Sequence, residues 1–385
     1  MTTAYWDGID VSTMSEVLTT VRAFADEVDR DARFPTESME AIRQAGLLEA
    51  GIPVHFGGGG LSLTQLAHIA RSLGAECASS AMIFVMHQSQ VLSIVRHGKS
   101  DAMESLLRRF VLERPLVASA TTEINIGGDV RTSGCAVEYD GDRIMLSKTA
   151  PVISYGEYAQ FVLATARRSV DSPPSDQVLV VCEKPDVVLE RTGDWDTLGF
   201  RGTCSPGFQL EATATTSNIL GDSYGDISAQ TMLPAAHVLW SAAWLGIADA
   251  AVTKARKSVR KAASRTPGVT PPSALRLAEL YVVHEQLVDA VFGAAAKYEA
   301  IADSPGDLGA IGFAVRINNL KVTASSLVID IVGKALQICG ISGYRQDSDM
   351  SIGRHLRDAH GSAIMVSNER ILGHNSQLAL VYKGN

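Results

Sequence analysis

The chain has 385 residues, 46% of them hydrophobic, and a formal net charge of -8. That length exceeds what one hydrophobic core usually supports, so two or three domains are expected. An acidic surface disfavours sequence-independent nucleic-acid binding, which needs cations to displace counterions.

From about residue 12 to 116 the pattern is helical. Val17, Val21, Phe24 and Val28 recur on one helical face, and Thr36 is a candidate N-cap for a helix that Gly46 would close. Phe56-Gly57-Gly58-Gly59-Gly60 reads as a loop, followed by helices near 62–74 and 77–97. From about 117 to 217 short apolar runs alternate with turn residues, among them Ile144-Met145-Leu146, Phe161 to Thr165 and Val178 to Cys182. These read as strands. Long helices return near 234–262, 273–302 and 308–338, with a shorter one after Ile352. The first ends in a basic run, Lys254, Arg256, Lys257, Arg260 and Lys261, which reads as solvated charge favoured by the helix C-terminal dipole, with an anion site as the alternative. The expected fold is therefore α+β and mostly α, with an N-terminal helical domain (1–116), a middle β-domain (117–226) and a C-terminal four-helix bundle (227–385).

Five scattered cysteines without a Cys-x-x-Cys or a neighbouring histidine point to a reducing compartment and away from a metal site. No basic and apolar leader and no apolar run of about 20 residues is evident, so the expectation is a cytoplasmic protein without a membrane or nucleic-acid partner.

Several motifs occur in a defined order. They are Phe34-Pro35, Gly46-Leu47-Leu48, Ile52-Pro53 and Gly57 to Gly60, then Thr122-Glu123 with Gly127-Gly128-Asp129. Asp196-Thr197-Leu198-Gly199-Phe200-Arg201-Gly202-Thr203 and Gln337-Ile338-Cys339-Gly340-Ile341-Ser342-Gly343-Tyr344 follow, and the last is Arg357-Asp358-Ala359. In this order the chain resembles the acyl-CoA dehydrogenase superfamily over nearly its whole length. The resemblance implies an FAD between the β-domain and the bundle, completed by a neighbouring subunit, and hence a homodimer or homotetramer. It implies that Thr122 meets the flavin pyrimidine edge, that the Gly127-Gly128 backbone approaches the ring, and that Ser154 lies beside the flavin N5. It also implies that Gln337 and Gly340 contact the adenosine diphosphate half. Arg265 would supply the phosphate contact of the family's Arg-x-x-Phe-Gly segment.

The departures are as informative. Val366 stands where the family commonly has its glutamate base, and an aliphatic side chain cannot accept a proton. Ala236 occupies the slot where a minority of the family carries it. Val152 replaces a tryptophan, and Met365 stands where the flavin monooxygenases of this fold commonly carry a histidine. His87 and Glu369 are the candidate catalytic groups, the first read alternatively as a core histidine and the second as a solvated helix charge. The expected activity is FAD-dependent dehydrogenation of an acyl thioester, on CoA or a carrier protein, with a non-standard base and an unidentified electron acceptor or reductase partner. The alternatives are a flavin-dependent monooxygenase or oxidase acting on a small-molecule substrate, and a non-catalytic binding protein on the same scaffold.

Overall fold

The computed structural model describes residues 10–124, 131–265 and 267–382. Five helices open the chain: α1 (Val11–Asp31), α2 (Thr36–Gln44), α3 (Leu63–Glu76), α4 (Ala78–His97) and α5 (Asp101–Glu113). Asp10 caps α1 by accepting from the Thr13 amide at 2.9 Å, and the buried face is Met14, Val17, Val21, Ala25 and Val28. The α2 cap differs from expectation. Pro35 is the N-cap residue and makes no side-chain cap, while Thr36 is already helical. Gly46 does follow the helix with φ +73°, a left-handed conformation that glycine adopts without a Cβ penalty.

Among the described residues seven strands follow: β1 (Val117–Ala120), β2 (Glu138–Asp140), β3 (Arg143–Ala150), β4 (Phe161–Arg167), β5 (Gln177–Glu183), β6 (Val187–Arg191) and β7 (Phe208–Thr215). They form a three-stranded sheet, β1-β4-β5, with β1 parallel to β4, and a four-stranded antiparallel sheet, β2-β3-β7-β6. β4 and β5 are buried along almost their whole length, hence their unbroken apolar runs.

The C-terminal part comprises α6 (Tyr224–Ile227), a π-helical turn at Ser228–Met232, α7 (Leu233–Arg265), α8 (Ser273–Ala300), α9 (Pro305–Leu308) and α10 (Ile311–Cys339). It ends with α11 (Ile341–Tyr344), α12 (Gly353–Gly361) and α13 (Asn368–Ala379). α7 is the central element and packs against α3 on one side and α10 on the other. The α3 seam is backbone-close. A Cβ on Gly246 would lie 2.1 Å from the Arg71 carbonyl oxygen, and one on Gly74 would lie 2.2 Å from that of Ala243. Arg71 and His284 converge on Asp249, at 2.6 Å each, and tie α3, α7 and α8 together.

Two expectations change here. Among the described residues three helices, Ala78–His97, Tyr224–Arg265 and Ile311–Cys339, are long and apolar enough to cross a membrane by length and composition. The apolar windows of the first two are 83% buried in the protein's own core. In the basic run of α7, Lys257, Arg260 and Lys261 are exposed as read, but Lys254 donates to the Ser351 carbonyl at 2.6 Å and Lys257 pairs with Asp349 at 3.0 Å, anchoring the loop before α12. All five cysteines are free and buried.

Candidate functional site

The open end of the β-unit gathers the hydroxyls singled out in the sequence. Thr122, just past β1, donates from Oγ1 to the Val152 carbonyl at 3.2 Å, which leaves its oxygen lone pairs available. Two residues beyond Val152, Ser154 Oγ accepts from Ser205 Oγ at 2.8 Å, and among the described residues its own proton has no acceptor. The turn between them is fixed from below: Tyr155 has φ +44° and donates its hydroxyl to the Val117 carbonyl at 3.0 Å, and the Ile153 amide donates to the Pro206 carbonyl at 3.1 Å. Thr122 thus offers an acceptor and Ser154 a donor on either side of Val152, which is 38% exposed. An isoalloxazine ring carries an N–H donor, ring-nitrogen and carbonyl acceptors and a large apolar face, so these residues fit a flavin.

Gly127 and Gly128 lie outside the described residues. The segment leading to them is anchored by a group that sequence reading passed over. The Glu123 carboxylate accepts from Ser133 Oγ at 2.8 Å and from the Gly134 and Cys135 amides at 2.9 and 3.0 Å. It also faces the buried Lys148 ammonium at 3.7 Å, which donates in turn to the Thr165 hydroxyl at 2.7 Å. Burial lowers the Lys148 pKa while Glu123 and Cys135 oppose the shift. No local pattern marks this ion pair, because its members are 25 residues apart on different segments.

A second group of residues lies at the far end of the bundle. Gln337 is exposed and lines a cleft of about 400 Å³ together with Arg276, Glu279, Asp330 and Lys334. Gly340 caps α10 with φ +59° and open space where a Cβ would be. Ser258 Oγ donates to the Ile338 carbonyl at 3.5 Å, so the α7 tip carrying the exposed Arg265 continues about two turns beyond this end of α10. Arginine, lysine and an exposed amide are groups that suit the phosphates of a dinucleotide.

Of the two candidate bases, His87 is placed otherwise than a base requires. His87 is 1% exposed; its Nε2 donates to the Leu48 carbonyl at 2.8 Å and its Nδ1 accepts from the Val117 amide at 3.1 Å. Both ring nitrogens are committed to backbone, and burial lowers its pKa to about 4. His87 is therefore a strut between α4, β1 and the turn after α2. Glu369 is exposed in the first turn of α13, where a carboxylate complements the helix dipole.

The Arg357-Asp358-Ala359 motif proves to be a clamp. Buried Asp358 accepts from the Phe200 amide at 2.7 Å, Arg357 donates to the Leu198 carbonyl at 3.1 Å and pairs with Asp29, and a Cβ on Gly199 would lie 2.4 Å from the Arg357 carbonyl oxygen. Two sequence motifs some 160 residues apart are one contact, which joins α12 to the β-unit and α1. Beyond it, Val366 presents its carbonyl to the Lys321 ammonium, which also donates to Asn368 Oδ1 at 2.8 Å. Among the described residues no group of three or more His, Cys, Asp or Glu could hold a metal ion.

Two helical blocks around a small β-unit, with flavin-suited hydroxyls at its open end, define a flavin-dependent oxidoreductase scaffold. Comparison with known proteins agrees. The sequence profile of the acyl-CoA dehydrogenase N-terminal domain matches residues 13–113, and that of the acyl-CoA dehydrogenase C-terminal domain matches residues 225–369. A cyclohex-1-ene-1-carbonyl-CoA dehydrogenase of Geobacter metallireducens is 26% identical over 349 residues, 90% of each chain. Among solved structures, butyryl-CoA dehydrogenase from Megasphaera elsdenii superposes with a TM-score of 0.79 at 20% identity, covering 97% of this chain and 99% of that one. The FMN-bound dibenzothiophene monooxygenase TdsC of Paenibacillus sp. A11-2 superposes with a TM-score of 0.84 at 19% identity, covering 97% and 98%. The chain belongs to the acyl-CoA dehydrogenase superfamily.

Proposed function

We propose that this protein uses FAD to remove two hydrogens across the Cα–Cβ bond of an acyl thioester carried on CoA or on a carrier protein. The observation that carries the reading is the match of both acyl-CoA dehydrogenase domain profiles to the two helical blocks, together with a relative named for an acyl-CoA substrate that aligns over 90% of the chain. When bound, the flavin supplies the two-electron acceptor. Thr122 and Ser154 would hold its polar edge, and Val152 would pack on the ring. Gln337, Gly340 and Arg265 serve the adenosine diphosphate end, the residue set that makes the cofactor FAD rather than FMN. A separate electron acceptor or reductase partner would reoxidise the flavin.

The protein works as a homodimer or homotetramer in the cytoplasm. Val282, Ile341, Tyr344 and Ile364, each at least 61% exposed, supply apolar surface for a second copy. The test is anaerobic. Purified protein releases FAD on heat denaturation, and a panel of acyl-CoAs bleaches the flavin band of the intact protein. Flavin that stays oxidised throughout refutes the reading.

A second reading has its own support: the likeness in fold to an FMN-bound monooxygenase, with aliphatic residues at both glutamate slots. It requires that reduced flavin plus labelled dioxygen leave label in a product. Unlabelled products rule it out.

A further inference from the structure

Val366 and His237, the sequence neighbour of Ala236, both bond to α10. The Val366 carbonyl accepts from Lys321 on α10. One turn earlier on the same helix, the Ile317 carbonyl accepts from His237 Nδ1 at 3.2 Å, and His237 is the neighbour of Ala236 at the start of α7. A carbonyl can only accept, so Nδ1 carries the proton of the neutral ring and the lone pair sits on Nε2. Among the described residues Nε2 has no hydrogen-bond partner, although His237 is 3% exposed.

An independent feature marks the same face. His237, Trp240, Ser241 and Trp244 follow helical spacing, i, i+3, i+4 and i+7, and so share one side of α7. The His237 and Trp240 rings are 5.7 Å apart, and the Lys321 ammonium lies 5.8 Å from the Trp244 ring. Trp240 Nε1, Ser241 Oγ and Trp244 Nε1 are all buried without a partner. Buried polar atoms are hydrogen-bonded in the great majority of cases, so three unpaired donors on one helix face are unusual, and Trp240 is the one of the three residues that is not fully buried. The opposite side of α7, with Ala243 and Gly246, is packed against α3.

Resting on the proposed acyl thioester substrate, we infer that His237 Nε2 is the proton acceptor that replaces the glutamate, with the neighbouring Trp240 indole N–H receiving the thioester carbonyl. The α C–H bond breaks with its proton moving to Nε2. Its electron pair forms the Cα=Cβ bond as the β-hydrogen departs with its own pair to the bound flavin. Negative charge that builds on the carbonyl oxygen meets the indole N–H donor of Trp240. Burial is the main cause that lowers His237 to about 4, so the ring is neutral at physiological pH and as strong a base as an ordinary glutamate.

The experiment uses flavin-loaded wild type and His237→Gln, with Trp240→Phe as a second variant of the same face. Equilibrium dialysis measures binding of each acyl-CoA. A panel of 3-thiaacyl-CoAs, which can lose the α-proton but cannot be dehydrogenated, reports deprotonation as a long-wavelength enolate-to-flavin absorption band. His237→Gln is expected to keep its flavin and bind acyl-CoA within a few-fold of wild type, to lose the band, and to reduce flavin about 10²–10⁴-fold more slowly. Trp240→Phe is expected to keep the proton acceptor and weaken the band. A band of full intensity in His237→Gln overturns the assignment. Wild type that binds no thioester overturns the substrate reading beneath it, a separate outcome recognised by the absence of binding.

Discussion

Lys321 donates to the side-chain oxygen of Asn368 at 2.8 Å and so bolts the start of α13 to the middle of α10. The same ammonium holds the Val366 carbonyl, and burial lowers its pKa from 10.5 to about 8. Lys321→Met leaves the Val366 carbonyl without a partner and Asn368 Oδ1 with only the 3.3 Å bond from Ser325 Oγ, and should cost about 1–3 kcal/mol. The pH dependence has a defined sign. Above pH 8 the unfolded chain holds more protons at this site than the folded one, so wild-type stability gains from it as pH rises toward 10.5. Urea denaturation on both sides of pH 8 should show that gain in wild type alone; equal slopes in the two proteins would refute it.

Asp358 titrates in the opposite sense. Burial raises its carboxyl to about 6 from 3.8, while the Phe200 amide opposes the shift. Between those values the folded state holds the extra proton, so this group takes stability away as pH rises from about 4 to 6. Asp358→Asn keeps an acceptor for the Phe200 amide and should flatten that part of the stability curve. Asp358→Ala should lose about 1–3 kcal/mol at every pH, seen as a lower denaturation midpoint.

His87 and Glu369 separate structural from chemical roles. His87→Ala removes a strut bonded at both nitrogens, so a loss of about 2–4 kcal/mol is expected, with flavin reduction per bound flavin unchanged within about threefold. Glu369→Gln should alter neither quantity. Rapid-reaction spectroscopy at a temperature where all variants are folded distinguishes these outcomes from loss of a base.

The α3–α7 seam predicts an asymmetric response to glycine replacement. Gly246→Ala drives a methyl group into the Arg71 carbonyl, parts two helices and should cost about 1–3 kcal/mol or more. Gly293→Ala on α8 meets nothing within 4 Å and should be neutral or stabilising by up to about 1 kcal/mol. Thermal melting of the two variants gives the comparison.

Much of the architecture was legible in the chain. The long helices were read within a few residues of Leu233–Arg265, Ser273–Ala300 and Ile311–Cys339, because apolar spacing persists over many turns. β4 and β5 were legible as unbroken apolar runs for the same physical reason that both are buried. The site was less so. Thr122 and Ser154 could be named from motifs, yet their joint placement around Val152 depends on hydrogen bonds from Thr122 and Tyr155 that cross between segments. His237 carried no signal: a histidine after two alanines at a helix start looks like any other.

The sequence by itself determined which elements form and which family they assemble into, because periodicity, turn residues and ordered motifs are local properties of the chain. It also determined that neither glutamate slot holds a carboxylate. The tertiary structure decided what each polar group is for. Whether a histidine is a strut, as His87 is, or keeps a free nitrogen, as His237 does, depends on which carbonyls and amides the folded chain brings within about 3 Å of its ring. Those partners lie tens of residues away in the sequence, and only packing brings them together.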